Sequence, residues 1–326
     1  MMTILPVLEI MASSEAHKRA AYAPEFASGS AYVIDHFCPI GQAAVPITDT
    51  GFIHADAAYD VVTSSKGYFF RLDDHLDRFE RSCQIFKLKS PLTRLQTADI
   101  LTRLVQLTGF RDAYIWWCVT RGDFPPGPNK TNPDAYQNRF FAFVVPYRSM
   151  SDDAMRSRGI DVAISREYIR IPSNSVDPRA KNFHWMDMKQ SMFEAGSQGY
   201  DWAVLTDGNS YLTEAPGCNI FVLHGNTLAT PDSGCLEGIT RQSALELAGE
   251  LGLKTEVRPV LVDELQNADD AFVCSSAGGI MPVNSVDGIV LGDSKGPGEL
   301  VTRLHNLYWE KRWAGWHGIV IDYKSK

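Results

Sequence analysis

Apolar and polar positions alternate in distinct blocks along this chain, and the blocks predict its elements. Residues 1–28 read as an N-terminal arm with a short helix around Ser13–Ala21. Ala31–Phe37 reads as a strand, and Gln42–Pro46 as a short extended piece leading into Asp49-Thr50-Gly51. The run Tyr59–Phe70, broken at Lys66-Gly67, predicts a hairpin. Leu72, Leu76 and Phe79 then fall on one face of a helix whose start suits Asp73 and Asp74. A second helix over Arg94–Thr108 turns Ile100, Leu101, Leu104 and Leu107 inward. Tyr114–Arg121 and Phe140–Pro146 are continuous apolar runs of the kind buried strands show. Between them Asp123–Gln137, rich in Pro, Gly and Asn, is a loop.

Tyr147–Gly159 is polar and carries no strand pattern, which marks a domain boundary. The expected division is an arm over 1–28, a smaller α/β domain over 29–148, a linker over 149–158 and a larger α/β domain over 159–326. In the larger domain Asp161–Ser165, Ala203–Thr206, Tyr211–Glu214, Asn219–Leu223, Leu228–Pro231, Lys254–Pro259 and Ala271–Cys274 read as extended. Helices are predicted over Trp185–Ala195, from Gly238 to Leu251, over Glu264–Ala268 and after Pro297. Residues after Trp316 read as a short tail.

Composition adds bounds to this pattern. At 326 residues, with 44% hydrophobic content, the chain has room for two cores. Its formal net charge of −8 argues against nucleic acid or an anionic membrane surface as partner. No apolar run approaches the roughly 20 residues of a membrane helix. The opening segment to Met11 contains Glu9 and lacks a basic region, so it is not read as a signal peptide. Six scattered cysteines form no CxxC pair and show no metal-ligand spacing. Reduced, packed thiols, a cytoplasmic location and no metal site are therefore expected.

Five features carry chemistry, and each has a plain structural alternative. Asp177-Pro178 delivers Lys181 just before a predicted helix. Burial near other cations would lower the pKa of that amine and make it a nucleophile, whereas on its own stretch it also reads as a solvated surface lysine. Arg78, one turn beyond His75, suits bidentate phosphate binding, or else is an exposed helix arginine paired with Asp74 or Asp77. Leu236–Arg241 is a helix start whose N–H groups could hold an anion, unless Thr240 simply caps it. Ser275–Gly279 follows a strand and could offer hydroxyls and N–H groups to the same anion, or is a plain turn. Glu214 could pair with a protonated ring nitrogen, or is a loop glutamate in solvent. An amine, an arginine, two N–H-rich turns and an acid together form the inventory for pyridoxal 5′-phosphate.

In these motifs and their order the chain resembles the fold-type IV pyridoxal-phosphate enzymes, the class of branched-chain and D-amino-acid aminotransferases. The residues that carry the likeness are Asp49–Asp56, Phe70–Arg78, Asp177-Pro178 with Lys181-Asn182, Leu212-Thr213-Glu214, Gly238–Arg241 and Ala277–Pro282. Within that class it is most similar to the (R)-selective amine transaminases. The resemblance implies two α/β domains with the cofactor at the domain interface. It implies that Lys181 is the Schiff-base lysine and proton shuttle. Arg78, the Ile239 and Thr240 N–H groups, Ser275 and Ser276 would bind the phosphate. Glu214 would pair with the pyridine nitrogen. His54, Tyr59, Val61, Trp185 and Ala277 would line the substrate pocket, and the protein would be a homodimer with shared active sites.

The implied activity is transfer of an amino group from an (R)-configured primary amine to a keto-acid acceptor, ping-pong through pyridoxamine phosphate. Amino-acid transamination of the branched-chain or D-type is the alternative. An aminodeoxychorismate lyase is more distant, because its pocket must hold two carboxylates and Tyr59–Thr63 is largely neutral. A non-enzymatic scaffold would have no need of the lysine, arginine and glutamate together. The chain departs from the family at one point. Residues 123–138 contain no arginine to grip the acceptor carboxylate, and Lys130 is the cation present there.

Overall fold

The computed structural model describes residues 3–292 and 296–324. It divides into two compact units. The first comprises Ala12–Arg148, Ala180–Phe183 and the chain from Arg312 onward. The second comprises the chain up to Met11, Ser149–Arg179 and His184–Lys311. The elements are α1 (Val7–Ser13), β1 (Ser30–Val33), β2 (His36–Pro39), α2 (Thr50–His54), β3 (Ala57–Ser65), β4 (Tyr68–Phe70), α3 (Leu72–Ile85), α4 (Arg94–Thr108), β5 (Ala113–Thr120) and β6 (Arg139–Pro146). Next come α5 (Asp153–Arg158), β7 (Ile160–Ile164), α6 (Met186–Ser197), β8 (Trp202–Val204), β9 (Asn219–His224), β10 (Thr227–Thr230), α7 (Ile239–Glu250) and β11 (Lys254–Val257). The chain ends with α8 (Val262–Gln266), β12 (Asp270–Ser275), β13 (Gly279–Val286), β14 (Ile289–Val290), α9 (Glu299–Trp313) and β15 (Gly318–Val320).

In the first unit seven strands run in the order β15-β4-β3-β5-β6-β1-β2. Every neighbouring pair is antiparallel. Ala58 and Val62 of β3 face Leu72, Leu76 and Phe79 of α3 and Leu101 and Leu104 of α4, with Trp117 fully buried among them. Burying each such side chain contributes ~1.5–3 kcal/mol, which is what fixes the two helices on that face. α4 matches its predicted bounds because its ends are written locally. Thr93 and Gln96 form a capping box, and Gly109 closes the helix with φ of 66°. In the second unit the strand order is β11-β10-β9-β12-β13-β7-β8, with β14 paired to β13. This sheet is mixed, since β10–β11, β13–β7 and β7–β8 are parallel. All six cysteines are buried, and none is in a disulfide. Among the described residues no helix is long and apolar enough to cross a membrane.

Several elements differ from their sequence-based expectation. The arm's helix is Val7–Ser13 rather than Ser13–Ala21, which keeps only a single 3-10 turn at Glu15–His17. Its start is set by tertiary contact, because the Asp153 carboxylate accepts the N–H groups of Leu8 and Glu9. Ala31–Phe37 is not one strand but the β1–β2 hairpin. Its turn puts Ile34 at φ 62°, so an apolar residue hides the bend. Gln42–Pro46 joins no strand. Tyr211–Glu214 forms only isolated bridges, Leu212 with Thr206 and Tyr211 with Leu261. The stretch 147–159 contains α5, capped by Asp152. The supposed tail after Trp316 supplies β15, an edge strand on β4.

Candidate active site

The four residues Ala180–Phe183 belong to the first unit, although the chain on both sides of them belongs to the second. Backbone pairing holds them there. The Tyr59 N–H donates to Lys181 O (3.0 Å), and Asn182 bridges to Ala58. The Lys181 N–H donates to Ser82 Oγ at 3.0 Å, and the same hydroxyl donates to Arg78 O at 2.8 Å. The lysine backbone is therefore clamped between β3 and α3. Its side chain is half-buried, with Nζ 4.6 Å from the Tyr59 ring centroid. Tyr59 in turn packs on Trp116 and Phe183 at 5.9 and 5.6 Å. The solvated-lysine alternative does not hold.

Arg78 is not the exposed helix arginine of the alternative reading. It is buried, and Asp60 on β3 takes its Nε and Nη2 hydrogens at 2.9 and 2.7 Å. His75 places Nδ1 2.8 Å from the same Asp60 carboxylate. Burial alone would raise the Asp60 pKa, but Arg78 and His75 hold it well below the usual carboxylate range. Burial pushes the His75 pKa down. Asp60 pulls it back only in part, and Arg78 and Lys181 push it further down. Val61 is buried on β3 two residues beyond Tyr59, on the same strand face. His54 is exposed at the end of α2, its ring 5.5 Å from Phe124. Lys130 is exposed, with Nζ 5.0 Å over the Phe124 ring. Arg139, at the start of β6, is bound to Asp123 and Asp49.

In the second unit Glu214 is 3% exposed, so it is no solvent loop residue. Its Oε1 accepts from Arg170 Nε at 2.8 Å and its Oε2 from the Leu236 N–H at 3.2 Å. Leu236 leads into α7, whose N-cap is Gly238 with no side-chain cap bond. Thr240 is therefore not the cap; it lies buried with Ile239 in the first turn. Glycine is required at 238, because a Cβ there would meet Asn219 Oδ1 at 2.0 Å. Asn219 also ties the two N–H-rich turns together. Its Nδ2 donates to Leu236 O (2.7 Å), and its backbone pairs with Cys274, just before Ser275. Ser275 Oγ accepts the Gly278 N–H at 2.9 Å, forming the Ser275–Gly279 turn that contains Ser276 and Ala277. Trp185 immediately precedes α6, its indole against Gly217. Asp60, Ser82, Arg170 and Asp187 went unread in the sequence. Asp60 had a signal, a lone carboxylate in an apolar strand, but Arg170 lies in a stretch with no pattern.

The family model of class IV aminotransferases matches residues 57–286. The chain belongs to that family. A putative branched-chain-amino-acid aminotransferase of Methanocaldococcus jannaschii is 28% identical over 286 residues, covering 86% of this chain and 96% of the relative. A D-alanine aminotransferase of Bacillus licheniformis is 28% identical over 266 residues, covering 81% and 90%. Among solved structures, the branched-chain amino acid aminotransferase of Thermobaculum terrenum in its pyridoxal-phosphate form superposes with a TM-score of 0.78. It is 25% identical and covers 89% of this chain and 95% of that one.

Class IV aminotransferases use pyridoxal 5′-phosphate, and this aminotransferase has the donor set that group needs. A held lysine suits the aldehyde. The uncapped start of α7 suits the phosphate, and a buried carboxylate beside an arginine suits a cationic ring nitrogen. The reaction joins an amine donor and a keto-acid acceptor.

Proposed function

We propose that this class IV aminotransferase takes its amino group from an (R)-configured primary amine that lacks a carboxylate. The observation that carries this reading is the setting of Lys181. Its Nζ lies over the Tyr59 ring, beside Trp116 and Phe183, with Val61 buried on the same strand face. Such an apolar, aromatic wall suits an aryl-alkyl amine better than a donor that brings its own carboxylate. The loop 123–138, with Lys130 and no arginine, offers the acceptor carboxylate a point charge rather than a bidentate fork.

The roles follow from donor chemistry. Pyridoxal phosphate, when bound, supplies the electron sink that makes the donor's C–H acidic. Lys181 would hold the cofactor through its aldehyde, and its Nζ would serve as the base that takes up and gives back the donor's proton. Ser82 and Tyr59 hold its backbone in register for both transfers. Arg78, kept in place by Asp60, binds the phosphate with the Ile239 and Thr240 N–H groups and the Ser275 and Ser276 hydroxyls. Glu214 keeps the ring nitrogen protonated. His54, Trp185 and Ala277 border the donor. The enzyme acts as a homodimer in the cytoplasm, a location that suits six cysteines outside any disulfide.

Transamination of branched-chain or D-amino acids is the second reading, and the names of the relatives favour it. The two part on donor choice. Purified holoenzyme is mixed separately with (R)-1-phenylethylamine, its (S)-enantiomer, D-alanine and L-leucine, and the visible band is followed. Bleaching by the (R)-amine and not the (S)-amine is expected. Bleaching by an amino acid alone overturns the amine reading.

A further inference from the structure

We infer that Arg170 and Asp187 are positioning residues for Glu214, and that the three act together as a set with one net negative charge, Arg170 and Glu214 buried and Asp187 partly so. This inference rests on the reading of Glu214 as the partner of the cofactor's ring nitrogen.

A carboxylate buried by itself tends to take up a proton, and a neutral acid gives no preference for a cationic ring. Glu214 avoids this through Arg170, whose Nε donates to Oε1 at 2.8 Å. A lone arginine, however, would cancel the very charge the ring nitrogen needs. Asp187 restores it: its Oδ2 accepts Arg170 Nη1 at 2.7 Å and the Ile171 N–H at 2.8 Å. One guanidinium thus holds two carboxylates from two different nitrogens, which a lysine cannot do with fixed angles. Burial opposes the charge on Arg170, but the two carboxylates outweigh it and raise its pKa.

The backbone fixes the same geometry from below. The Arg170 N–H donates to Thr206 O at 2.9 Å, and the Leu205 N–H donates to Glu214 O at 3.0 Å. Arg170 and Glu214 are therefore anchored on consecutive residues of one segment. The Leu236 N–H on Oε2 then sets the carboxylate plane. Asp187 stands in the first turn of α6.

The test loads apoprotein with 15N-labelled pyridoxal phosphate and follows the ring-nitrogen signal against pH. Cofactor affinity is read in parallel from quenching of tryptophan fluorescence. The variants are E214Q, R170Q, R170K and D187N, with urea midpoints to check folding. The ring nitrogen is expected to lose its proton in E214Q. In D187N and R170Q it should titrate about one pH unit or more below the parent. R170K, which keeps the charge without the fork, should lie between R170Q and the parent. If R170Q fails to fold, D187N and R170K decide. A shift in E214Q with none in D187N, R170Q or R170K overturns the positioning role and leaves the reading of Glu214 standing. No shift in E214Q overturns both.

Discussion

Each unit holds a three-membered cluster of ionisable side chains built on one buried central group, and the clusters are opposite in composition. In the first, one carboxylate, Asp60, serves Arg78 and His75. In the second, one guanidinium, Arg170, serves Glu214 and Asp187. Removing the central member takes the shared partner from two groups, whereas removing an outer member leaves one ion pair in place. The lesson is that the cost of losing a buried charge is set by what its partners keep, and not by its own burial.

The largest effect separates chemistry from structure. Lys181→Ala should lower transamination by about 10³-fold or more, measured as turnover of any donor that bleaches the holoenzyme. Its urea midpoint should barely move, since the side chain is half-buried and outside both cores. Substantial residual turnover would remove Lys181 from its assigned role.

Asp60→Ala tests the central member of the first cluster. It should destabilise the protein by about 3–5 kcal/mol in urea, because Arg78 is left charged and buried. Asp187→Asn, an outer member of the second cluster, should cost about 1.5–3 kcal/mol, with Arg170 still held by Glu214. Equal losses would erase the distinction.

The pH dependence of stability also differs by group. Asp60 and His75 both have lowered pKa values, so their stabilisation is present near neutrality and is lost as the pH falls. In the second unit burial lowers His305 to about 4. Between its unfolded value, about 6.5, and that pH, protonation favours unfolding by roughly 1 kcal/mol per pH unit. Asp270 behaves oppositely, because burial raises its carboxyl to about 7. Its stabilisation is complete below the unfolded carboxylate pKa and is lost as the pH rises toward 7. In urea titrations from pH 4 to 7, His305→Gln should make stability fall more with rising pH. Asp270→Asn should do the reverse, and unchanged slopes would refute the assignment. The smallest effect is Ser82→Ala, which removes the hydroxyl shared by Lys181 and Arg78. It should cost about 1 kcal/mol and raise the KM for donor less than it lowers kcat.

Much of the fold was legible where signals were local. α4 is bounded by a capping box and a glycine, and β5 and β6 are uninterrupted apolar runs, so all three stand at or within a residue of their expected bounds. The β1–β2 turn was not legible, because Ile34 looks like strand yet adopts a left-handed conformation. Nor was β13, whose opening glycine resembles a loop until it pairs with Ser275 of β12. The candidate site was proposed from residue types, since Lys181, Arg78 and Glu214 each stand in a recognisable motif. Their partners were not, since Asp60 lies 18 residues from Arg78 and Arg170 lies 44 from Glu214.

By itself, then, the amino-acid sequence determined the elements whose ends are written locally, such as α4, β5 and β6, because capping, periodicity and turn chemistry act over a few residues. It also supplied the residue types proposed for the chemistry. Tertiary structure alone decided their electrostatic state. Whether Arg78 is solvated or buried on Asp60, and whether Glu214 stands in water or against Arg170, depends on desolvation. Desolvation is a property of the surrounding fold, and no local run of residues encodes it.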